Sequence, residues 1–369
     1  MVDIVIIGGG IIGTSIAANL RHVDSVTIFE KETLGSGTTA ASMARQNWYT
    51  DNPLYLHLQR ISWETYKPLI TDGTIEYDKC GIFYVANSEA ELAAFKQKAS
   101  ILERYGIDHT VIERDAAHRY GLITEDIAGG LHIPKTGYMN QQDAVEHFAN
   151  HARNFGVTIE TGVEVTDIQT TYNQVRGVET TAGHFPADIV LNAAGPWAPD
   201  INELAGVNLP LRHTPGPILV LDANEPLDLP YISGIENDFY FRPEGSTKML
   251  AGRRWGRYDQ ATLLNPDENM EIEHSFREDV SRITGNYIPA LAEASVVNEW
   301  FGLRTVTPDF YPVIGPTELN GLYVACGMSG SGVSIAPAIG QLLASYIANQ
   351  HSSLANVLSP RRFQSMSVL

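Results

Sequence analysis

Apolar residues in this chain fall in short blocks that alternate between strand-like runs and helix-like spacing. Residues 4–7 are an unbroken Ile-Val-Ile-Ile run, too short for a helix and mostly β-branched, and they predict a strand. Residues 11–22 then predict a helix and residues 25–29 a second strand. A small-residue loop, 35–44, leads to Arg45-Gln46-Asn47-Trp48-Tyr49 and a helix over 53–66, where proline is tolerated in the first turn because its missing N–H has no intrahelical partner there. Residues 74–85 read as strand and 88–105 as helix, opened by Ser88-Glu89-Ala90-Glu91, a capping-box pattern. The pattern further predicts a helix over 142–155 and strands over 157–160, 163–170 and 175–180. A buried strand over 188–192 ends in Ala193-Ala194-Gly195-Pro196-Trp197. Residues 212–253 read as antiparallel strands punctuated by prolines and glycines. A helix over 268–283, strands over 296–304 and 322–325, and an apolar helix over 333–349 complete the series.

Nucleotide-fold segments thus occur at both ends and in the middle, with sheet-rich material between them. The expected fold class is α/β (α+β overall), a Rossmann-like cofactor domain beside a substrate domain on a mostly antiparallel sheet. Residues 1–74, 139–212 and 303–369 are expected to form the first, and 75–138 with 213–302 the second. A chain of 369 residues is long enough for two such units.

The first strand runs directly into Gly8-Gly9-Gly10-Ile11-Ile12-Gly13, and the second ends at Glu30, twenty residues after Gly10. This is the dinucleotide fingerprint in its required strand, helix and acid context. Gly8 permits the tight turn, Gly10 lets the backbone approach a pyrophosphate, and Gly13 lets the helix pack on the strand. The helix start faces the phosphates, and Glu30 is placed for ribose hydroxyls. The fingerprint alone leaves NAD and FAD open.

Net charge narrows the partners. At a formal -18 the chain lacks the basic surface that nucleic acid requires. The only two cysteines, Cys80 and Cys326, are far apart and in neither metal nor redox spacing, which fits a reducing cytoplasm. Residues 2–20 lack the basic start of a signal peptide, and no run of about 18 apolar residues suggests a membrane span. His147 and His151 are four apart on a predicted helix but have no third ligand in sequence, so no metal is expected.

Two late motifs bear on the chemistry. One is Gly302-Leu303-Arg304-Thr305-Val306-Thr307-Pro308-Asp309-Phe310-Tyr311-Pro312-Val313-Ile314-Gly315. The other, Cys326 to Gly340, opens an apolar helix with Gly330-Ser331-Gly332-Val333 and so directs backbone N–H groups at a negative ligand. Together with the fingerprint these residues resemble the D-amino acid oxidase superfamily, which includes glycine oxidase, sarcosine oxidase and the D-amino acid dehydrogenases. The resemblance selects FAD. It implies that Gly8, Gly10, Ile11, Ile12, Gly13, Glu30, Lys31, Thr38, Thr39, Ser42, Val165, Ala194, Gly195, Trp197, Arg304, Gly330, Ser331, Gly332 and Val333 hold the cofactor.

Arg304 matches the arginine that holds the substrate carboxylate, a role suited to a planar guanidinium. The alternative is an ion pair with Asp309 or Glu299. Tyr240 matches the tyrosine that covers the substrate, and Tyr49 and Arg45 lie in the loop that relatives place near the flavin ring. Gly302 stands where sarcosine oxidase carries its flavin-linking cysteine, so noncovalent FAD is expected. Ala44 and Cys80 stand near the positions of a histidine and an acid in D-arginine-dehydrogenase-like members, which disfavours a cationic substrate. The lysine linked with oxygen reactivity in sarcosine oxidase has no clear counterpart in residues 252–259, where Arg257 is the nearest cation.

The activity implied is oxidation of a small or apolar amino acid, whether a D-amino acid, glycine or an N-methyl amino acid such as sarcosine. Hydride would pass from the α carbon to flavin N5, with oxygen, a quinone or a partner flavoprotein as acceptor. A 2-hydroxy acid oxidoreductase and a FAD-bearing subunit of a larger complex are the alternatives.

Overall fold

The first apolar run forms the strand Asp3–Ile7. Its last four residues are all buried, because layers cover both faces of the sheet around it. In the computed structural model, residues 2–21, 23, 25–46, 48, 52–122, 127–235, 238–253, 260–348, 350 and 353–364 are described. Asp3–Ile7 pairs in parallel with Ser25–Glu30 on one side and Ile189–Asn192 on the other. The full six-stranded order is Val313–Pro316, Leu322–Cys326, Ile189–Asn192, Asp3–Ile7, Ser25–Glu30, Thr158–Thr161. Only Val313–Pro316 runs antiparallel. The chain leaves the central strand in both directions across the sheet, so a crevice opens beyond its carboxyl end, the usual ligand position in such sheets.

Helix Ile11–Asn19 is buried along nearly its whole length and packs against the final helix, Gly332–Ile347. A Cβ at Gly340 would lie 2.6 Å from the Ser15 carbonyl oxygen, so glycine sets that approach. The final helix contains Pro337, which leaves the Val333 carbonyl without its helical donor. The buried Tyr66 hydroxyl, on helix Pro53–Thr71, donates to that carbonyl at 2.7 Å.

A second, eight-stranded sheet has the order Ser295–Val306, Arg212–Asp222, Lys248–Arg253, Phe239–Glu244, Tyr231–Gly234, Ile82–Ala86, Gly129–Ile133, Thr110–Glu113. Alternation along its strands separates two faces. Phe83, Phe239, Phe241 and Met249 pack beneath helix His274–Tyr287. Ile82, Tyr84, Tyr231, Tyr240 and Leu250 face the other way, against Met43, Trp48 and Trp300.

Several sequence expectations are corrected. The run 74–85 is broken at Gly81 (φ 74°) into Tyr77–Asp78, which pairs with Tyr138–Met139, and Ile82–Ala86. Within 212–253, Tyr231–Gly234 pairs in parallel with Ile82–Ala86. The helix expected over 268–283 is His274–Tyr287, because Ile272 is drawn into the core in non-helical backbone. The helix from Pro53 continues through Pro68 to Thr71. Strands Thr110–Glu113, Gly129–Ile133, Gly183–Pro186 and Val313–Pro316 had no clear sequence pattern.

Candidate active site

The carboxyl rim of the six-stranded sheet opens into a cleft of about 540 Å³. Gly8, Gly10, Ile11 and Ile12 reach it from the first turn, and Glu30, Lys31, Thr38, Thr39 and Ser42 from the second strand and its loop. Val165, Ala194, Gly195 and Trp197 line another wall, and Arg304, Gly330, Gly332 and Val333 the last. Gly13 and Ser331 stand behind these residues. A Cβ on Gly13 would lie 2.0 Å from the Gly8 carbonyl oxygen, which fits the packing role expected of it. Ser331 is the N-cap of the final helix and makes no side-chain capping bond.

Local bonds refine several of these positions. The Glu30 carboxylate accepts from Gly9 N–H at 2.7 Å and Glu32 N–H at 2.9 Å, which holds it at the rim with lone pairs to spare. Thr39 accepts the Ile11 N–H at 3.2 Å and thus caps the first helix from a distant loop. Thr38 spends its hydroxyl proton on the Leu303 carbonyl at 2.8 Å, and Ser42 accepts from Ala44 N–H at 2.9 Å. The Thr38 proton is thus committed to protein, whereas Ser42, as an acceptor, keeps its own hydroxyl proton.

Lys31 pairs with Asp267 and lies 4.1 Å from the Trp197 ring centroid, while Trp197 Nε1 donates to Asp267 at 3.0 Å. The Lys31 hydrogen bond holds the Asp267 carboxyl below its ordinary pKa. Asp267 joins the cleft from a segment whose sequence carries no motif. Cys326 also lines the cleft, and burial pushes its thiol up to about 12.

Arg304 donates from Nη2 to the Tyr240 hydroxyl at 2.8 Å and from Nη1 to the Pro215 carbonyl at 3.2 Å. The acids nearest in sequence are engaged elsewhere: Glu299 by Arg277 and Asp309 by Arg362. Two glycines clear the path between Arg304 and Tyr240. A Cβ at Gly216 would lie 3.3 Å from Arg304 Nη2, and one at Gly252 would lie 2.7 Å from the Tyr240 hydroxyl oxygen. Arg45 lies on the same side of the sheet, 5.1 Å from the Tyr231 ring centroid, with Tyr84 and Tyr240 among its neighbours. Tyr49 and Arg257 lie outside the described residues.

His147 and His151 stack with ring centroids 6.1 Å apart. No cluster of three or more His, Cys, Asp or Glu able to hold a metal occurs among the described residues. Nor is any described helix long and apolar enough to cross a membrane.

A family model described as DAO, FAD dependent oxidoreductase, matches residues 3–346. Glycine oxidase of Geobacillus kaustophilus is 28% identical over 371 residues, covering 95% of this chain and 94% of that protein. The 4-methylaminobutanoate oxidase (formaldehyde-forming) of Paenarthrobacter nicotinovorans is 27% identical, over 93% of this chain but 43% of its own length. The chain therefore spans less than half of some of the curated relatives it matches. Among solved structures, L-proline dehydrogenase from P. horikoshii superposes with TM-score 0.87 at 26% identity, covering 99% of this chain and 98% of that one.

The cleft fits FAD on its own geometry. Two helix N-termini, at Ile11 and Gly332, meet at one cavity; the second has no side-chain cap, and in the first Thr39 takes the Ile11 N–H. Gly8 (φ 104°) and Gly10 present bare backbone there, with the Glu30 carboxylate at the rim.

Proposed function

The chain belongs to the DAO family of FAD-dependent oxidoreductases, and from that premise we propose that it oxidises a small amino acid or N-methyl amino acid. The observation that carries this reading is Arg304, which lines the cleft and is hydrogen-bonded to Tyr240. Gly10, Ile11 and Ile12 would hold the pyrophosphate, Glu30 the ribose, Val165 the adenine by its backbone, and Gly330 to Val333 the flavin ring. The flavin, when bound, supplies the acceptor for hydride from the substrate α carbon.

The chain's own residues bind and orient. Arg304 takes the substrate carboxylate through two parallel charge-assisted bonds. Because Arg304 donates to the Tyr240 oxygen, the Tyr240 hydroxyl proton is directed away from it and can be donated to the same carboxylate. Fixing both carboxylate oxygens orients the Cα–H bond, and such positioning is the main protein contribution when a cofactor carries the redox step. The substrate amine reacts as the neutral base, and the imine formed is hydrolysed by water.

Arg304→Gln tests this reading. The variant should retain FAD by absorbance yet lose roughly 10²-fold or more in kcat/KM with the amino acid that reduces the wild type. A loss of only a few-fold would remove Arg304 from substrate binding.

A further inference from the structure

Arg45 sits in a loop built to hold one conformation. Ala44, just before it, has φ 46°, a left-handed backbone that non-glycine residues rarely adopt. The flanking backbone is pinned to the segment 136–139. Met139 N–H donates to Ala44 O at 3.1 Å, Gln46 N–H to Gly137 O at 2.9 Å, and the Thr136 hydroxyl to Gln46 O at 2.8 Å. This fastening turns Arg45 toward the sheet face that carries Tyr84, Tyr231 and Tyr240.

Among the described residues no carboxylate pairs with Arg45, and its buried Nη1 has no hydrogen-bond partner. Its neighbours are tyrosines: Tyr231 is hydrogen-bonded to it and presents its ring, and Tyr240 is shared with Arg304. An arginine keeps its charge at any ordinary pH, and burying that charge without an anion is costly. The cost is met if a ligand brings the anion.

We propose that Arg45 binds a second carboxylate of the substrate, making the preferred substrate a dicarboxylic amino or N-alkyl amino acid. This rests on the reading of Arg304 as the site of the first carboxylate. Charge balance distinguishes the alternatives: with its amine neutral for oxidation, a monocarboxylic amino acid carries one negative charge against two guanidinium groups. A dicarboxylic one carries two. The two arginines approach Tyr240 from separate elements, the strand Ser295–Val306 and the loop at 44–46, so each can take its own carboxylate. An apolar side chain would leave the buried Nη1 of Arg45 without an anion.

The test uses the FAD-loaded protein and acids that cannot be oxidised. Succinate and glutarate are titrated against propionate and butyrate, following the flavin absorbance change near neutral pH. The wild type should half-saturate with the dicarboxylates at roughly tenfold lower concentration or less. Arg45→Met should erase that preference while leaving propionate binding within about twofold; Arg45→Lys, with its charge kept, should retain part of it and decides the matter if the Met variant loses FAD. Equal affinity for both classes in the wild type, or equal weakening of both by the substitutions, overturns the second-carboxylate assignment alone. If no acid perturbs the flavin, the Arg304 reading fails and this inference with it.

Discussion

Arg304 reaches the hydroxyl of Tyr240 at 2.8 Å across two intervening strands of the eight-stranded sheet. The reach is possible because Gly216 and Gly252 keep side chains out of its path. A Cβ on Gly252 would overlap the tyrosine ring, its nearest atoms lying 2.7 Å away. Gly252→Ala should therefore displace Tyr240 and lower kcat/KM with little loss of FAD. Tyr240→Phe, which removes one hydrogen-bonding group without moving the ring, should cost roughly tenfold. Steady-state kinetics beside the flavin-to-protein absorbance ratio would check both.

The fingerprint glycines differ in what they tolerate. A Cβ on Gly13 would lie 2.0 Å from backbone, whereas one on Gly10 would meet only the Thr39 hydroxyl oxygen at 3.3 Å. Gly13→Ala should yield poorly folded protein without flavin. Gly10→Ala should fold and bind FAD more weakly, as measured by thermal unfolding with and without added FAD.

Tyr66→Phe leaves the Val333 carbonyl, exposed by Pro337, without its donor. The expected loss is about 1–3 kcal/mol of stability, read from the urea midpoint. A midpoint equal to that of the wild type would show that another donor serves this carbonyl.

Asp309 accepts from both Arg362 Nε and Nη2 as well as from Thr307 and Tyr311 N–H. Burial works to raise its pKa, but the Arg362 bond and charge and the other donors outweigh it and hold the carboxyl below its ordinary value. A depressed folded value means that this stabilisation is full above the unfolded pKa, about 4, and is lost as pH falls through the folded one. Asp309→Asn should cost about 1–2 kcal/mol at neutral pH, and its gap from the wild type should narrow below about pH 4. Denaturant melts at several pH values would show it.

FAD should be released by acid precipitation, with all the flavin in the supernatant. Gly302 offers no linking atom. Cys326, which lines the cleft, has its thiol pushed up to about 12 by burial, so it stays protonated and unreactive. Flavin remaining in the pellet would contradict noncovalent binding.

The sequence alone determined the cofactor end of this protein, because the fingerprint is local. Gly8 to Gly13, the flanking strands and Glu30 lie within thirty residues of one another, and their turn and helix-start requirements are met by neighbours in the chain. The late Gly302–Gly315 and Gly330–Val333 motifs were likewise legible, and the structure brings Arg304 and Gly330 to the same cleft. Tertiary structure alone decided the pairings. Nothing in the sequence indicates that Arg362 would take Asp309, that Asp267 would reach Lys31, or that Thr38 would turn to Leu303. The helix expected over 268–283 was displaced by the same cause, the burial of Ile272. Arg45 depends on it most: its position is set by bonds to residues 136–139, and its tyrosine surroundings by a sheet assembled from distant stretches. Contacts of that kind are paid for by folding the whole chain, and no local pattern records them.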